Sequence, residues 1–141
     1  DKAAIATVTA TAQRYGFTSS EELRTLTGMA SGNAVENWTS TRDCGSFLSQ
    51  VYAGTLVSKN ASERMMQLLL GQTRRTKIPA GVPSGVKVAN KTGELAAVQN
   101  DVAIVFGTHP YVLAVMSNDI SSAVAPSQIT ELSRAVWDAA Q

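Results

Sequence analysis

Hydrophobic positions recur at helical spacing in the first part of the chain. Residues 1–15 are rich in Ala and Thr, with Ile5, Val8 and Ala12 at intervals of three and four. Gly16 follows where a helix would stop. The pattern predicts a helix over 1–15. The polar, irregular stretch 17–39 predicts a long loop with a short helical piece near 21–26, and a loop of that length is usually functional or well packed.

Two more helices are predicted before the middle of the chain. Ser40 and Asp43 have the spacing of an N-cap and an acidic third residue. The apolar positions of the helix after them are Cys44, Phe47, Leu48, Val51 and Tyr52. Asn60 and Glu63 are predicted to open the next helix. Its broad apolar surface consists of Met65, Met66, Leu68, Leu69 and Leu70.

The pattern changes from helical to strand-like after Pro79. Turn residues fill 80–85, a strand is predicted from Val86 onward, and two β-rich runs cover 101–107 and 111–117. The short connection between the last two runs predicts an antiparallel hairpin. Because the runs are almost continuously hydrophobic, helices are expected to cover both faces of the sheet.

A last helix is predicted over 126–140, with Ile129, Leu132 and Val136 on its buried stripe. The order of helices, three antiparallel strands and a helix predicts a mixed α/β (α+β) sandwich. We expect residues 1–141 to form a single unit. Within it, 1–77 would be the helical and loop region, and 78–141 would hold the three strands and the final helix.

Composition excludes several classes of function. A formal net charge of +1 gives no reason to expect nucleic acid, and no apolar run reaches the length of a membrane span. Cys44 is the only cysteine, so no internal disulfide is possible, and a core position is favoured over a reactive thiol. One Cys and one His cannot build the common zinc sites, so no metal and no cofactor are predicted.

The residues Lys91-Thr92-Gly93 stand at the end of the first predicted strand. Alone, this tripeptide is weak evidence, since Lys91 would be a solvated strand-end lysine and Gly93 a bulge or turn. Its context is more specific: the segments 78–93 (IPAGVPSGVKVANKTG), 100–106 (NDVAIVF) and 111–119 (YVLAVMSND) follow one another in order. Upstream, 39–43 (TSTRD) opens a predicted helix.

Together these segments resemble the C-terminal part of the penicillin-recognising serine hydrolases, the family of class A-type serine β-lactamases and D,D-peptidases. The resemblance implies the β-lactamase/transpeptidase-like fold, here incomplete, and acyl transfer on a β-lactam or a D-Ala-D-Ala-type peptide. It also implies a location outside the cytoplasmic membrane, in the cell envelope. As an alternative, the chain would be a non-catalytic binding or regulatory module with the same ancestry; an unrelated small α/β domain agrees less well with several matching segments.

The resemblance assigns roles to four consecutive residues. Lys91 would supply positive potential toward the nucleophile and the substrate carboxylate, and the Thr92 hydroxyl would bind that carboxylate. Gly93 would leave room for a substrate backbone, and the backbone N–H of Glu94 would be one oxyanion-hole donor. The Glu94 carboxylate departs from the small residue that the family often has, and we expect it to disfavour an anionic substrate.

Three nearby groups are given ordinary structural roles. We expect Asp101 to pair or cap within the sheet, His109 to be an exposed turn residue, and the cations Arg74, Arg75 and Lys77 to form a solvated basic loop.

The Ser-x-x-Lys pair that supplies the family's nucleophile is missing. Ser84 and Lys87 have that spacing, but they lie in a turn that enters a strand, where side chains three apart point to opposite faces. Likewise 31–33 (SGN) imitates the family's Ser-x-Asn too close to Lys91, and 19–38 lacks its Glu-x-x-Leu-Asn pattern. In the complete fold that the resemblance implies, an N-terminal region covers strand edges and apolar faces that this sequence would leave exposed. We therefore expect the chain to be found with a missing N-terminal segment of the same protein or as an intertwined homo-oligomer.

Overall fold

The computed structural model of the protein describes residues 2–25 and 35–141. Within these residues the chain forms helices, a short 3-10 turn and strands. In chain order they are α1 (Lys2–Arg14), α2 (Thr41–Ala53), α3 (Lys59–Leu70), the 3-10 turn (Ile78–Gly81), β1 (Lys87–Leu95), β2 (Val98–Phe106), β3 (Tyr111–Val115) and α4 (Ala125–Ala140).

The three strands form an antiparallel sheet in the order β1-β2-β3. Thr92 of β1 lies opposite Asp101 of β2, and Ile104 of β2 lies opposite Val112 of β3. The predicted hairpin between the last two strands is therefore confirmed. Within the described part of the chain, β1 and β3 each have one side without a partner strand.

Helices cover both faces of the sheet, which confirms the predicted α+β sandwich. Helices α2 and α3 pack on one face, whereas α4 and the 3-10 turn pack on the other. Successive strand residues alternate between the two layers. The core under α2 contains Leu48, Ala89 and Ile104. The core under α4 contains Ile78, Val88, Ala103, Val105 and Ile129.

Hydroxyl caps set the start of the two middle helices. The Ser40 hydroxyl accepts a hydrogen bond from the Asp43 N–H at 3.1 Å, as predicted. Helix α3, predicted to open at Asn60, begins one residue earlier at Lys59, and Asn60 is not its cap. Ser58 caps this helix instead, because its hydroxyl accepts from the Ala61 N–H at 3.1 Å.

The buried stripe of α4 differs from the hydrophobic stripe predicted for it. Ile129 is buried, but Leu132 is 46% exposed and the neighbouring Ser133 is fully buried. Ser133 can occupy the interior because its hydroxyl donates to the Ile78 carbonyl at 2.9 Å. The buried face therefore rotates by one residue from Leu132 to Ser133.

No helix forms over 21–25, so the short helical piece predicted there is wrong for these residues, while Leu26 lies outside the described residues. Glu21 and Trp38 instead exchange two backbone hydrogen bonds of 2.9 Å. The Asn37 side-chain oxygen accepts from the N–H groups of Leu23 and Arg24 at 2.8 and 2.9 Å. These pairings hold the backbone extended, which competes with the helical turn.

Candidate active-site cleft

The four residues singled out by the sequence lie at the end of β1, on a strand at the edge of the described sheet. The alternation along a strand separates their side chains. Lys91 shares a face with Ala89 and points toward α2 and α3, whereas Thr92 and Glu94 point toward the 3-10 turn. The end of β1 thus carries polar or charged side chains on both of its faces.

Two side-chain contacts show which backbone carbonyls of β1 point to its outer edge, away from β2. The Val88 carbonyl accepts from the Arg75 guanidinium at 3.4 Å, and the Thr92 carbonyl accepts from the Lys91 ammonium. In an antiparallel strand the N–H and C=O of one residue point the same way, and the pattern repeats every second residue. The Glu94 N–H therefore points to the same outer edge as the Thr92 carbonyl.

Gly93 is not required by packing inside the described chain. A Cβ placed there would lie 3.6 Å from the Asn100 Cβ, which is ordinary van der Waals contact. The missing side chain therefore leaves space on the Lys91 face of β1, and no close contact within the described residues requires it.

A cavity of about 390 Å³ opens beside Lys91, between α2, α3 and the sheet. Its walls are mostly apolar, and Lys91 is the cation among the residues that line it. The lining residues are Phe17, Ser20, Thr39, Asp43, Cys44, Phe47, Leu48, Leu69, Lys91 and Val102. Lys91 thus borders a concave space.

Asp43 fixes the loop that closes one end of this cavity. Its carboxylate accepts from the Ser19 N–H at 2.8 Å and from the Ser20 hydroxyl at 2.7 Å, and the residue is only 4% exposed. Cys44 follows it on the cavity wall and is half-buried, with its sulfur 3.6 Å from the Thr39 hydroxyl. The thiol therefore lines the cavity and is not fully enclosed in the core.

On the opposite face of β1, the Glu94 carboxylate is held by two cations. Lys77 donates to one oxygen at 3.1 Å, and Arg74 donates to the other at 2.8 Å. The Lys77 side chain is only 1% exposed, and its ammonium also donates to the Asn100 carbonyl at 3.1 Å. The prediction that Lys77 belongs to a solvated loop is wrong, because burial requires this charge to be paired.

The charges around Glu94 favour its ionised form. The hydrogen bond from Lys77 has the largest effect and holds the pKa of Glu94 below its ordinary value of 4.5. Burial has the next largest effect and opposes the shift, while the positive charges of Lys77, Arg74 and Lys91 each lower the pKa further. Three cations therefore lie within electrostatic reach of one carboxylate at the end of β1.

Asp101 lies deeper on the same face and is fully buried. Its carboxylate accepts from the Ile78 N–H at 3.0 Å and from the Asn90 amide at 3.1 Å, which confirms that it pairs within the sheet. Burial raises the pKa of Asp101 above its ordinary value, although these hydrogen bonds and the Lys77 charge oppose the shift. Asp101 thereby anchors the start of the 3-10 turn beside Lys77.

Other candidates from the sequence do not join the cleft. Ser84 lies in a turn and Lys87 is the first residue of β1, so this pair is not at the start of a helix. His109 is exposed at the hairpin tip, as expected. The 31–33 segment lies outside the described residues. Sequence patterns alone gave no signal for Lys77, since its partner Glu94 is 17 positions away.

A comparison with protein families gives one match that spans almost the whole chain. The model described as the β-lactamase enzyme family (Beta-lactamase2) matches residues 2–140. The fold and the family are those of the β-lactamase-like hydrolases. This chain belongs to the β-lactamase enzyme family.

Solved structures agree with this assignment. The structure of PBP-A has a TM-score of 0.84 and 25% identity, with 96% of this chain and 51% of that chain covered. A β-lactamase from Sphaerobacter thermophilus has a TM-score of 0.88 and 24% identity, with 96% and 53% covered. A variant of PBP-A solved as an acyl-enzyme with penicillin G has a TM-score of 0.84 and 24% identity, with 96% and 51% covered.

The chain spans about half the length of these structures. No match was found among curated protein sequences. In the described ranges, no helix is long and apolar enough to cross a membrane. The same residues contain no group of three or more His, Cys, Asp or Glu side chains placed to hold a metal ion.

Proposed function

We propose that this chain forms one wall of the active site of a β-lactamase-like serine hydrolase. The reaction would be acyl transfer from a β-lactam or from a D-Ala-D-Ala-type peptide. The observation that carries the proposal is the cavity beside Lys91 in a chain of the β-lactamase family. The cavity adjoins β1, whose outer edge has no partner strand among the described residues. The PBP-A variant with bound penicillin G is the comparison that supports this ligand class.

The four strand-end residues would each contribute a separate interaction. Lys91 makes no salt bridge within the described residues, so its charge can act on a nucleophile and on a substrate carboxylate. The Thr92 hydroxyl would bind that carboxylate. Gly93 would let the ligand backbone lie along the edge of β1. The Glu94 N–H would donate to the oxyanion, a contact worth about 3 kcal/mol in the transition state.

The attacking group would come from polypeptide outside this sequence. A serine hydroxyl there would attack the acyl carbon and form an ester, while its proton passes to a base. The carbonyl oxygen would become an oxyanion before the carbon–nitrogen bond breaks and the nitrogen takes up a proton. Lys91 and the Glu94 N–H would stabilise charge during this step, and neither forms the covalent bond.

Exposed apolar surface on the helices supports the need for a complementary segment. No residue of α1 is fully buried, Val8 is 50% exposed, and Leu68 of α3 is 72% exposed. Another apolar cavity, of about 410 Å³, is lined by one side of α1, by Phe47 of α2 and by Met65 of α3. Surfaces of this kind are costly in water. We infer that residues 1–141 form one unit within a larger domain, completed by an N-terminal segment or by a second copy.

A non-catalytic binding module is the second candidate. One property of this sequence favours it. The Ser-x-x-Lys spacing occurs at Ser84 and Lys87, and this pair does not lie at the start of a helix. Such a module would bind the same ligands reversibly. Both candidates would act outside the cytoplasmic membrane, as the family membership suggests.

Fluorescent penicillin distinguishes these functions. The 141-residue chain, the full-length protein, and the chain mixed with a separately produced complementary segment would each be incubated with the probe and denatured. The proposal predicts covalent labelling of the second and third samples, with the label outside this chain. Labelling of the isolated chain would contradict it, and reversible binding without labelling of any sample would favour the binding module.

A further inference from the structure

One carboxylate neutralises the cations on the Thr92 side of β1. Glu94 pairs with Lys77 at 3.1 Å and with Arg74 at 2.8 Å. The carboxylate is partly open to solvent, with its side chain 33% exposed, while the Lys77 ammonium below it is fully enclosed. The Arg74 side chain is 67% exposed, so a dissolved anion can reach it from solvent, but an anion can contact Lys77 and Arg74 together only where Glu94 now lies.

Glu94 shares a face with Thr92, the residue proposed to bind a substrate carboxylate. Side chains two positions apart on a strand lie on the same face about 7 Å apart. A ligand carboxylate at Thr92 would therefore be close to the negative charge of Glu94. It would also find Lys77 and Arg74 already occupied by that charge.

We propose that Glu94 is a specificity-determining residue that acts as an internal counter-ion in an anion subsite formed by Lys77 and Arg74. The subsite is filled by the protein's own carboxylate, so the cleft favours ligands that are neutral at this position. As a statement about substrate choice, the inference rests on the proposed function. The anion subsite itself can be tested separately.

The substitution Glu94→Gln isolates this role. It removes the charge but keeps a side-chain oxygen that can accept from Lys77, and it leaves the Glu94 N–H in place. Without the carboxylate, Lys77 and Arg74 can pair with an added anion, and charge-assisted hydrogen bonds are about twice as strong as neutral ones. The matched control Glu63→Gln removes the same charge from an exposed position on α3, which packs on the other face of the sheet.

The first experiment titrates acetate into the full-length protein and follows the amide resonances of the 3-10 turn and β1. We expect Glu94→Gln to bind acetate at least about tenfold more tightly than the parent, since two charge-assisted contacts are freed. Glu63→Gln should behave as the parent, and adding Arg74→Gln to Glu94→Gln should remove most of the gain. Equal acetate affinity in parent and Glu94→Gln, or an equal gain in Glu63→Gln, would overturn the proposal.

The second experiment compares benzylpenicillin with its neutral methyl ester by competition against the fluorescent penicillin. Glu94→Gln should improve the affinity for the anion relative to the ester. An acetate gain without any penicillin binding would contradict the proposed function while supporting the subsite. Penicillin binding with an unchanged preference between anion and ester would contradict the counter-ion role.

A second variant keeps the test decisive if Glu94→Gln does not fold. Glu94→Asp preserves the net charge but shortens the side chain by one methylene, so the carboxylate no longer reaches Lys77 at the present distance. We expect a smaller gain in acetate affinity, of about threefold. No gain in a folded Glu94→Asp variant would also overturn the proposal.

Discussion

The contact between the 3-10 turn and α4 predicts opposite effects for two Gly→Ala substitutions. At Gly81 a Cβ would lie 2.5 Å from the Thr130 carbonyl oxygen and 2.6 Å from the Ser133 Cβ. Both distances are roughly 1 Å short of ordinary contact, and the carbonyl belongs to the helix backbone. The turn and α4 would have to separate to admit the methyl group. At Gly45, inside α2, a Cβ meets no heavy atom of the described chain within 4 Å.

The magnitude follows from what the separation would break. Two hydroxyls of α4 donate to the turn region: Ser133 donates to the Ile78 carbonyl at 2.9 Å, and Thr130 shares its one proton between the carbonyls of Thr76 and Lys77 at 3.2 Å each. Overpacking costs about 1–3 kcal/mol, and each hydrogen bond contributes about 1 kcal/mol. We expect Gly81→Ala to lower the free energy of unfolding by about 2–4 kcal/mol.

Gly45→Ala is the matched control, because it adds the same methyl group without a clash. Alanine in a helix interior is favoured over glycine by about 0.5–1 kcal/mol, so this variant should be slightly more stable than the parent. Urea unfolding followed by far-UV circular dichroism measures both free energies in the same form of the protein. Equal changes in the two variants, or a neutral Gly81→Ala, would refute the described approach of the turn to α4.

Three further predictions concern a helix cap, an ion pair and the strand edge. Ser40→Ala should lower the free energy of unfolding by about 1 kcal/mol in urea, because the Asp43 N–H loses its acceptor, and an unchanged value would argue against the cap. The pKa of Glu94 is lowered in the folded protein, so its contribution to stability is present above pH 4.5 and is lost as the pH falls through the folded-state pKa. The stability difference between the parent and Glu94→Gln should therefore shrink below pH 4.5, and a constant difference from pH 7 to pH 3 would contradict the ion pair. Gly93→Ala should change the unfolding free energy by less than about 1 kcal/mol, because its Cβ meets only ordinary contacts. The same substitution should reduce the rate of penicillin labelling of the full-length protein. Loss of folding would show instead that the sheet requires the glycine.

The sequence predicted those structural features that are determined by residues close to one another in the chain. The hydroxyl cap at Ser40 is decided within three residues, and the hairpin is decided by two apolar runs with a short turn between them. The position of Lys91 beside a cavity could be expected only from the resemblance of longer segments. A tripeptide alone does not determine whether its lysine faces solvent or a concave surface.

The wrong predictions concern side chains whose burial depends on partners far away in the sequence. Lys77 is buried because Glu94 accepts from it, and Ser133 is buried because the Ile78 carbonyl accepts from its hydroxyl. Hydrophobic periodicity treats both residues as polar and places them at the surface. It therefore assigned Leu132 to the buried stripe, although this side chain is 46% exposed.

The proposed role of Lys91 is tested by the rate at which fluorescent penicillin covalently labels the full-length protein after the substitution Lys91→Ala. Lys91 makes no salt bridge among the described residues, so folding should be retained, while the rate constant should fall by about 10²-fold or more. Lys87→Ala, an exposed lysine at the other end of the same strand, should leave the rate unchanged. A folded Lys91→Ala variant that is labelled as fast as the parent would contradict the claim that this strand end is a wall of the acyl-transfer cleft.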